Sequence, residues 1–235
     1  MKNIFITLVL FSAVSFSAQA QYEFPEWGIG GSVGMVRPYS DTRINDTQRA
    51  FALDLFWNYS PYLPFSFEAQ TGRLAGGGAT ADPYGRFFVN DYLALDLHGD
   101  LQLGEVVDFQ GNFLLERLKG FYSGIGVGAM FNNLTSIQRV DPTNSTYIFP
   151  GKEKSVSILV PLRWGYEFKV FNYYDVPIIS INLNYTHYLT FAESLDGYDD
   201  PSSKFKNNAQ DMYRYISVGV KLNFGNTRQY FKPIR

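Results

Sequence analysis

The chain has 235 residues, 20 basic and 22 acidic side chains, a formal charge of -2 and no cysteine. The missing cysteine excludes disulfides, thiol catalysis and cysteine metal sites, and so weak a charge balance does not favour nucleic acid as a partner. Aromatic residues reach 17% while mean hydropathy is only -0.14, which suits strands that show lipid on one side only.

The N-terminus reads as a secretion signal over residues 1–20. Lys2 is a short positive region, Ile4 to Phe16 is apolar, and Ala18-Gln19-Ala20 is a small-x-small cleavage site, so Gln21 is the expected mature start. The apolar run is too short to span a bilayer as a helix; an uncleaved anchor is the competing reading. No later run reaches the ~18 apolar residues of a transmembrane helix.

Eight long strands are expected after it. Trp27–Arg37 places Trp27, Ile29, Val33 and Met35 on one face and Gly28, Gly30, Ser32 and Gly34 on the other. Arg49–Tyr59 alternates Phe51, Leu53, Leu55, Trp57 and Tyr59 with Ala52, Asp54, Phe56 and Asn58. A Pro-punctuated turn, Ser60–Pro64, leads to a third strand running to about Arg73, with Ser66, Glu68 and Gln70 on its inner face. The glycine cluster beginning at Gly76 has no Gly-Lys-Ser/Thr ending and no following helix, so it reads as a loop and not as a phosphate cradle.

The fourth strand, Phe87–Leu103, turns Leu93, Leu95, Leu97 and Leu101 outward and Asp96, His98 and Asp100 inward. From Val106 to Leu118 the period becomes helical and stops at Gly120; this is a connector near the membrane interface, or else a partner-binding helix. Phe121–Phe131 is the fifth strand, with Gly124, Gly126 and Gly128 facing in. The sixth is Lys154–Tyr166 and the seventh Ile178–Phe191. The eighth, Met212–Phe224, alternates most cleanly: Ile216, Val218, Val220, Leu222 and Phe224 face out, and Tyr213, Tyr215, Ser217, Gly219 and Lys221 face in.

Long polar connections follow strands one, three, five and seven, and shorter ones strands two and six, the pattern of outer-membrane barrels with external loops and periplasmic turns. The expected fold is therefore an all-β, eight-stranded antiparallel transmembrane β-barrel with a short periplasmic helix in one connection. Both termini lie in the periplasm, and 21–26 and 226–235 are short tails.

An eight-stranded barrel is nearly filled by its own side chains, and charges held inside it must pair. The inward polar set is Asp54, Glu68, Asp96, His98, Asp100, Arg163, Glu167 and Lys221. One reading is a network in which acids hold Arg163 and Lys221 and close the lumen; the other is an ion path. Asp96, His98 and Asp100 share a face and offer metal or proton-relay chemistry, but no spacing here is diagnostic of a metal motif, so no metal and no cofactor is assigned. His187 faces outward. A lipid hydrolase would need a nucleophile beside it, and its same-face neighbours are Tyr185 and Leu189. Arg214 faces outward near the rim, placed for lipopolysaccharide phosphates or for snorkelling to water.

The signal, the glycine-alternating first and fifth strands and the terminal stretch from Tyr215 to Phe224 resemble Bacteroidetes-type small outer-membrane β-barrel proteins, the OmpA-like or PorT-like porin family. The resemblance spans essentially the whole chain after the signal. It implies recognition of the last strand (Tyr215, Val218, Val220, Leu222, Phe224) by the barrel-assembly machinery. The functional expectation is a non-enzymatic integral barrel, a structural or accessory subunit of a secretion, barrel-assembly or uptake complex. Its partners are outer-membrane lipid, lipopolysaccharide and other outer-membrane proteins. The competing readings are a small monomeric channel and a lipid-modifying barrel enzyme.

Overall fold

The computed structural model describes residues 22–78, 80, 82–109, 112–142, 144–191, 195–199 and 211–230. The signal segment lies outside them. Eight antiparallel strands follow one another around a closed ring. They are β1 (Tyr22–Tyr39), β2 (Gln48–Ser60), β3 (Leu63–Gly77), β4 (Phe87–Gln102), β5 (Phe121–Ile137), β6 (Lys154–Phe171), β7 (Pro177–Thr190) and β8 (Met212–Tyr230). The last stave pairs with the first from Tyr22↔Tyr230 to Tyr39↔Met212, with one register shift between Pro25 and Trp27. Closure leaves no free sheet edge, so every backbone donor and acceptor in the wall has a neighbour to meet.

The alternation in the sequence becomes the two faces of the wall. Leu53, Leu97, Ile158 and Val218 are exposed on the outside, while their neighbours in sequence are buried inside. Leaving a Leu or Phe in water rather than burying it costs about 1.5–3 kcal/mol, so an exterior built of such residues is stable only against an apolar medium. Among the described residues no helix is long and apolar enough to cross a membrane, and the strands do that work.

Two differences from the sequence reading concern the strand ends and one connection. Residues 22–26 and 226–230, expected as tails, are paired strand. From Leu222 to Gln229 no residue of β8 is buried; with both faces open, that stretch has no alternation for the sequence to show. The other difference is the connection after β4. Instead of one amphipathic helix over 106–118 there are two short ones, α1 (Leu103–Val106) and α2 (Phe113–Leu118). Asn112 caps α2, its side-chain oxygen accepting from the backbone N–H groups of Leu114 and Leu115 at 3.1 and 3.2 Å. None of the α2 residues is buried.

The long connections after β1, β3, β5 and β7 leave from one end of the ring. Phe149, Leu195 and Tyr198 from these loops join Leu134 and Phe88 of the wall in a buried cluster. Asn90 Nδ2 donates to the Leu195 carbonyl at 2.9 Å, tying the last loop over the mouth. At the opposite end Tyr62 is buried beneath the β2–β3 turn against Phe109 and Tyr230, with the Lys169 ammonium 4.4 Å from its ring centre.

Candidate functional site

The eight residues read as an inner polar set all lie buried on the inner wall. Cross-strand register decides how they meet. Asp54 of β2 stands opposite Glu68 of β3, and Glu68 stands opposite Asp96 of β4. Three carboxyl groups thus face one another across adjacent staves, an arrangement that repels unless something cationic enters it.

Arg163 enters from β6. Its Nη1 donates to Glu68 Oε2 at 2.9 Å and its Nε to Asp100 Oδ1 at 3.1 Å, which spans the lumen. Glu68 Oε1 also accepts from the Tyr188 hydroxyl at 2.9 Å. His98 Nδ1 lies 2.7 Å from Asp96 Oδ1. Lys221 is a correction to the expected pairing. Its ammonium donates to Asn58 Oδ1 at 2.7 Å and sits 4.4 Å from the Phe56 ring centre, and among the described residues it has no ion pair with a carboxylate. Glu167 instead accepts from Gln102 Nε2 at 2.6 Å, and Gln102 in turn accepts from Lys169 at 2.8 Å.

The glycines of β5 make this crowding possible. Gly124, Gly126 and Gly128 pair with Asp100, His98 and Asp96. A Cβ on Gly124 would lie 2.0 Å from Asp100 Oδ1; on Gly126 or Gly128 it would come within 2.6 Å of the Cβ of His98 or Asp96. The three polar residues of β4 lean over a bare strip of backbone, which their own strand alone does not reveal.

Several participants escaped the sequence reading. Gln70 Oε1 accepts from the Tyr92 and Tyr213 hydroxyls at 2.7 and 3.3 Å, while its Nε2 donates to Tyr188 at 3.1 Å. Tyr188 and Tyr213 stack with centroids 4.4 Å apart and 9° between planes. Their inward parity was visible; that they would share one layer with Glu68 was not. Below this layer the lumen retains a cavity of about 30 Å³, lined by Asp54, Glu68, Asp100 and Arg163 among others. That is room for about one water, not for a continuous column.

The outward candidates lie elsewhere. His187 is half-buried on the outer face, 3.4 Å from Met212 Sδ, with Leu162 and Arg214 as its cross-strand neighbours. No serine, threonine or carboxylate is among these neighbours. Arg214 stands opposite Arg37, its guanidinium 5.8 Å from the Tyr39 ring centre. Of the terminal strand, Tyr215 is buried inside and donates or accepts a 3.0 Å bond with Ser32, while Val218, Val220, Leu222 and Phe224 are exposed outside.

A closed antiparallel ring with an apolar exterior and a charged, packed interior is the construction of a membrane-spanning β-barrel. No family model and no curated protein matches the chain. Among solved structures it is similar to Neisserial surface protein A, with 11% identity, a TM-score of 0.47, and coverage of 85% of this chain and 97% of that one. It is also similar to Ail, the attachment invasion locus protein of Yersinia pestis, with 11% identity, a TM-score of 0.43, and coverage of 85% and 99%. The outer membrane protein OprG of Pseudomonas aeruginosa matches with 13% identity, a TM-score of 0.40, and coverage of 86% and 98%.

Proposed function

We propose that this chain is a non-enzymatic outer-membrane β-barrel with a closed lumen, inserted with its long loops outside and its termini in the periplasm. It serves as a structural or accessory subunit of a larger outer-membrane assembly. The observation that carries this is the filled interior: Arg163 bridges the lumen to Glu68 and Asp100, and Tyr188 stacks on Tyr213 in the layer above. A barrel without a water column works through its outer wall and its loops. The resemblance to the OmpA-like or PorT-like porin family belongs to the same reading.

The outer wall also suggests the lipid partner. Arg37, Arg49, Arg73 and Arg214 lie on β1, β2, β3 and β8 near the long-loop end, all facing outward. Arg73 pairs with Asp91 at 2.7 Å; among the described residues Arg37, Arg49 and Arg214 have no ion-pair partner. A row of free guanidinium groups at that height suits the phosphates of lipopolysaccharide.

The test is reconstitution in planar bilayers together with mild-detergent isolation from the native membrane. The expected result is no unitary conductance, and co-isolation of one outer-membrane protein in fixed ratio. Stepwise conductance would overturn the closed lumen, and a barrel that always isolates alone would overturn the subunit role.

A further inference from the structure

Within the lumen one group of side chains is built as metal ligands are built. One carboxylate oxygen from each of Asp54 and Glu68 and one ring nitrogen of His98 lie within 4.8 Å of one another. All three residues are more than nine-tenths buried. They come from β2, β3 and β4, so their meeting depends on register and not on any local motif.

The histidine supplies the second, independent observation. A carboxylate only accepts, so the 2.7 Å contact between Asp96 Oδ1 and His98 Nδ1 places the proton on Nδ1. In the neutral imidazole this leaves the lone pair on Nε2. This nitrogen is buried and has no hydrogen-bond partner; the nearest acid atom, Asp100 Oδ2, is 3.9 Å away. A carboxylate behind one imidazole nitrogen, with the other left bare, is how proteins orient and strengthen a histidine that binds a metal.

Charge points the same way. Five carboxyl groups face the lumen (Asp54, Glu68, Asp96, Asp100 and Glu167) beside three basic side chains (Arg163, Lys169 and Lys221) and the imidazole of His98. Asp54 has no ion pair among the described residues, although it stands directly opposite Glu68. Glu68 Oε1 accepts from Tyr188 and from Gln70, while Oε2 accepts from Arg163 and keeps a second lone pair.

We propose that Asp54, Glu68 and His98 bind one divalent cation of the zinc class inside the barrel. One imidazole nitrogen and two carboxylate oxygens suit such an ion, and the adjoining cavity has room for a water as fourth ligand. The ion would offset the charge of its two carboxylate ligands and pin three adjacent staves together. It enters during folding, when the ligands are still accessible, so its binding is linked to folding.

The barrel is prepared without a histidine tag, folded in detergent with Zn²⁺, desalted and analysed for metal. About one equivalent of zinc per folded barrel is expected, with Asp54→Asn and His98→Gln each lowering retention at least tenfold and His187→Gln leaving it unchanged. Folding is monitored separately, by the change in electrophoretic mobility on heating. If the site variants do not fold, the wild-type protein loaded with Zn²⁺ still decides by X-ray absorption: one nitrogen from an imidazole and otherwise oxygen neighbours are expected. Less than a tenth of an equivalent on the folded wild type, or retention untouched by His98→Gln, would overturn the site. Protons alone would then balance the lumen acids.

Discussion

Arg163 of β6 and Glu68 of β3 meet across the barrel, Nη1 to Oε2 at 2.9 Å, with both side chains almost wholly buried. Removing one partner of such a pair leaves the other charge buried and unpaired, which costs about 3–5 kcal/mol. Arg163→Met is therefore expected to lower the urea midpoint of the folded barrel strongly, followed by tryptophan fluorescence. Arg163 also holds Asp100, so the triple variant Arg163→Met with Glu68→Gln and Asp100→Asn should recover much of the loss, because both carboxylates it held are then neutral. A triple variant no better than the single one would show that shape, not charge, governs this contact.

Gly126 offers a sharper test of packing. Its Cα is in register with His98, and a Cβ there would lie 2.4 Å from the Leu97 carbonyl oxygen and 2.6 Å from the His98 Cβ. Backbone cannot yield as a flexible side chain does, so Gly126→Val should abolish the heat-modifiable folded band in electrophoresis. Val127→Leu, one residue on and facing outward, should fold normally. Equal folding of both variants would mean that β4 and β5 are not paired in this register.

These two cases mark how far the sequence can be read. Period-two alternation sorts residues between the faces of a strand, so Glu68, Asp96, Asp100 and Arg163 are recognisable as inward from their own neighbours. Alternation does not say which residue stands opposite which. The row Asp54–Glu68–Asp96 and the pairing of Gly126 with His98 depend on register between strands, which is set by the closure of the whole ring. The same limit explains Lys221. Its inward parity is plain, but its height in the barrel puts it beside Asn58 and Phe56.

The loops carry a pH dependence of their own. Asp211, just before β8, is buried, and its carboxyl accepts from the Leu195 N–H at 2.9 Å. Burial, reinforced by the neighbouring Asp196, holds its pKa well above the usual carboxylate range. The folded loop therefore binds a proton more tightly than the unfolded chain, whose value is about 3.9. The stability from this residue is complete below that value and is lost as pH rises through the folded one. Asp211→Asn, which keeps the acceptor without the charge, should be more stable than wild type at pH 8. The gap in urea midpoint should narrow as the pH is lowered towards 4. A gap that does not change with pH would remove Asp211 from the titration.

Tyr198 holds the loops over the mouth by its hydroxyl and its ring together. The hydroxyl is 2.9 Å from the carbonyl oxygens of both Phe87 and Gln138, and the ring receives the Arg86 and Arg139 guanidinium groups at 5.5 and 5.9 Å from its centre. Arg139 also donates to the Gly197 carbonyl at 2.7 Å, so one cation ties the 138–153 loop to the last one. Tyr198→Phe removes only the hydroxyl contact, worth about 1 kcal/mol, whereas Tyr198→Ala also removes the platform on which both cations rest. Proteinase K should then cut the loops of Tyr198→Ala fastest, Tyr198→Phe at an intermediate rate and wild type slowest. All three should keep the heat-modifiable barrel, because Tyr198 lies outside the closed ring of strands. Loss of the folded band in Tyr198→Ala would instead make the loop cluster part of the barrel's own folding unit.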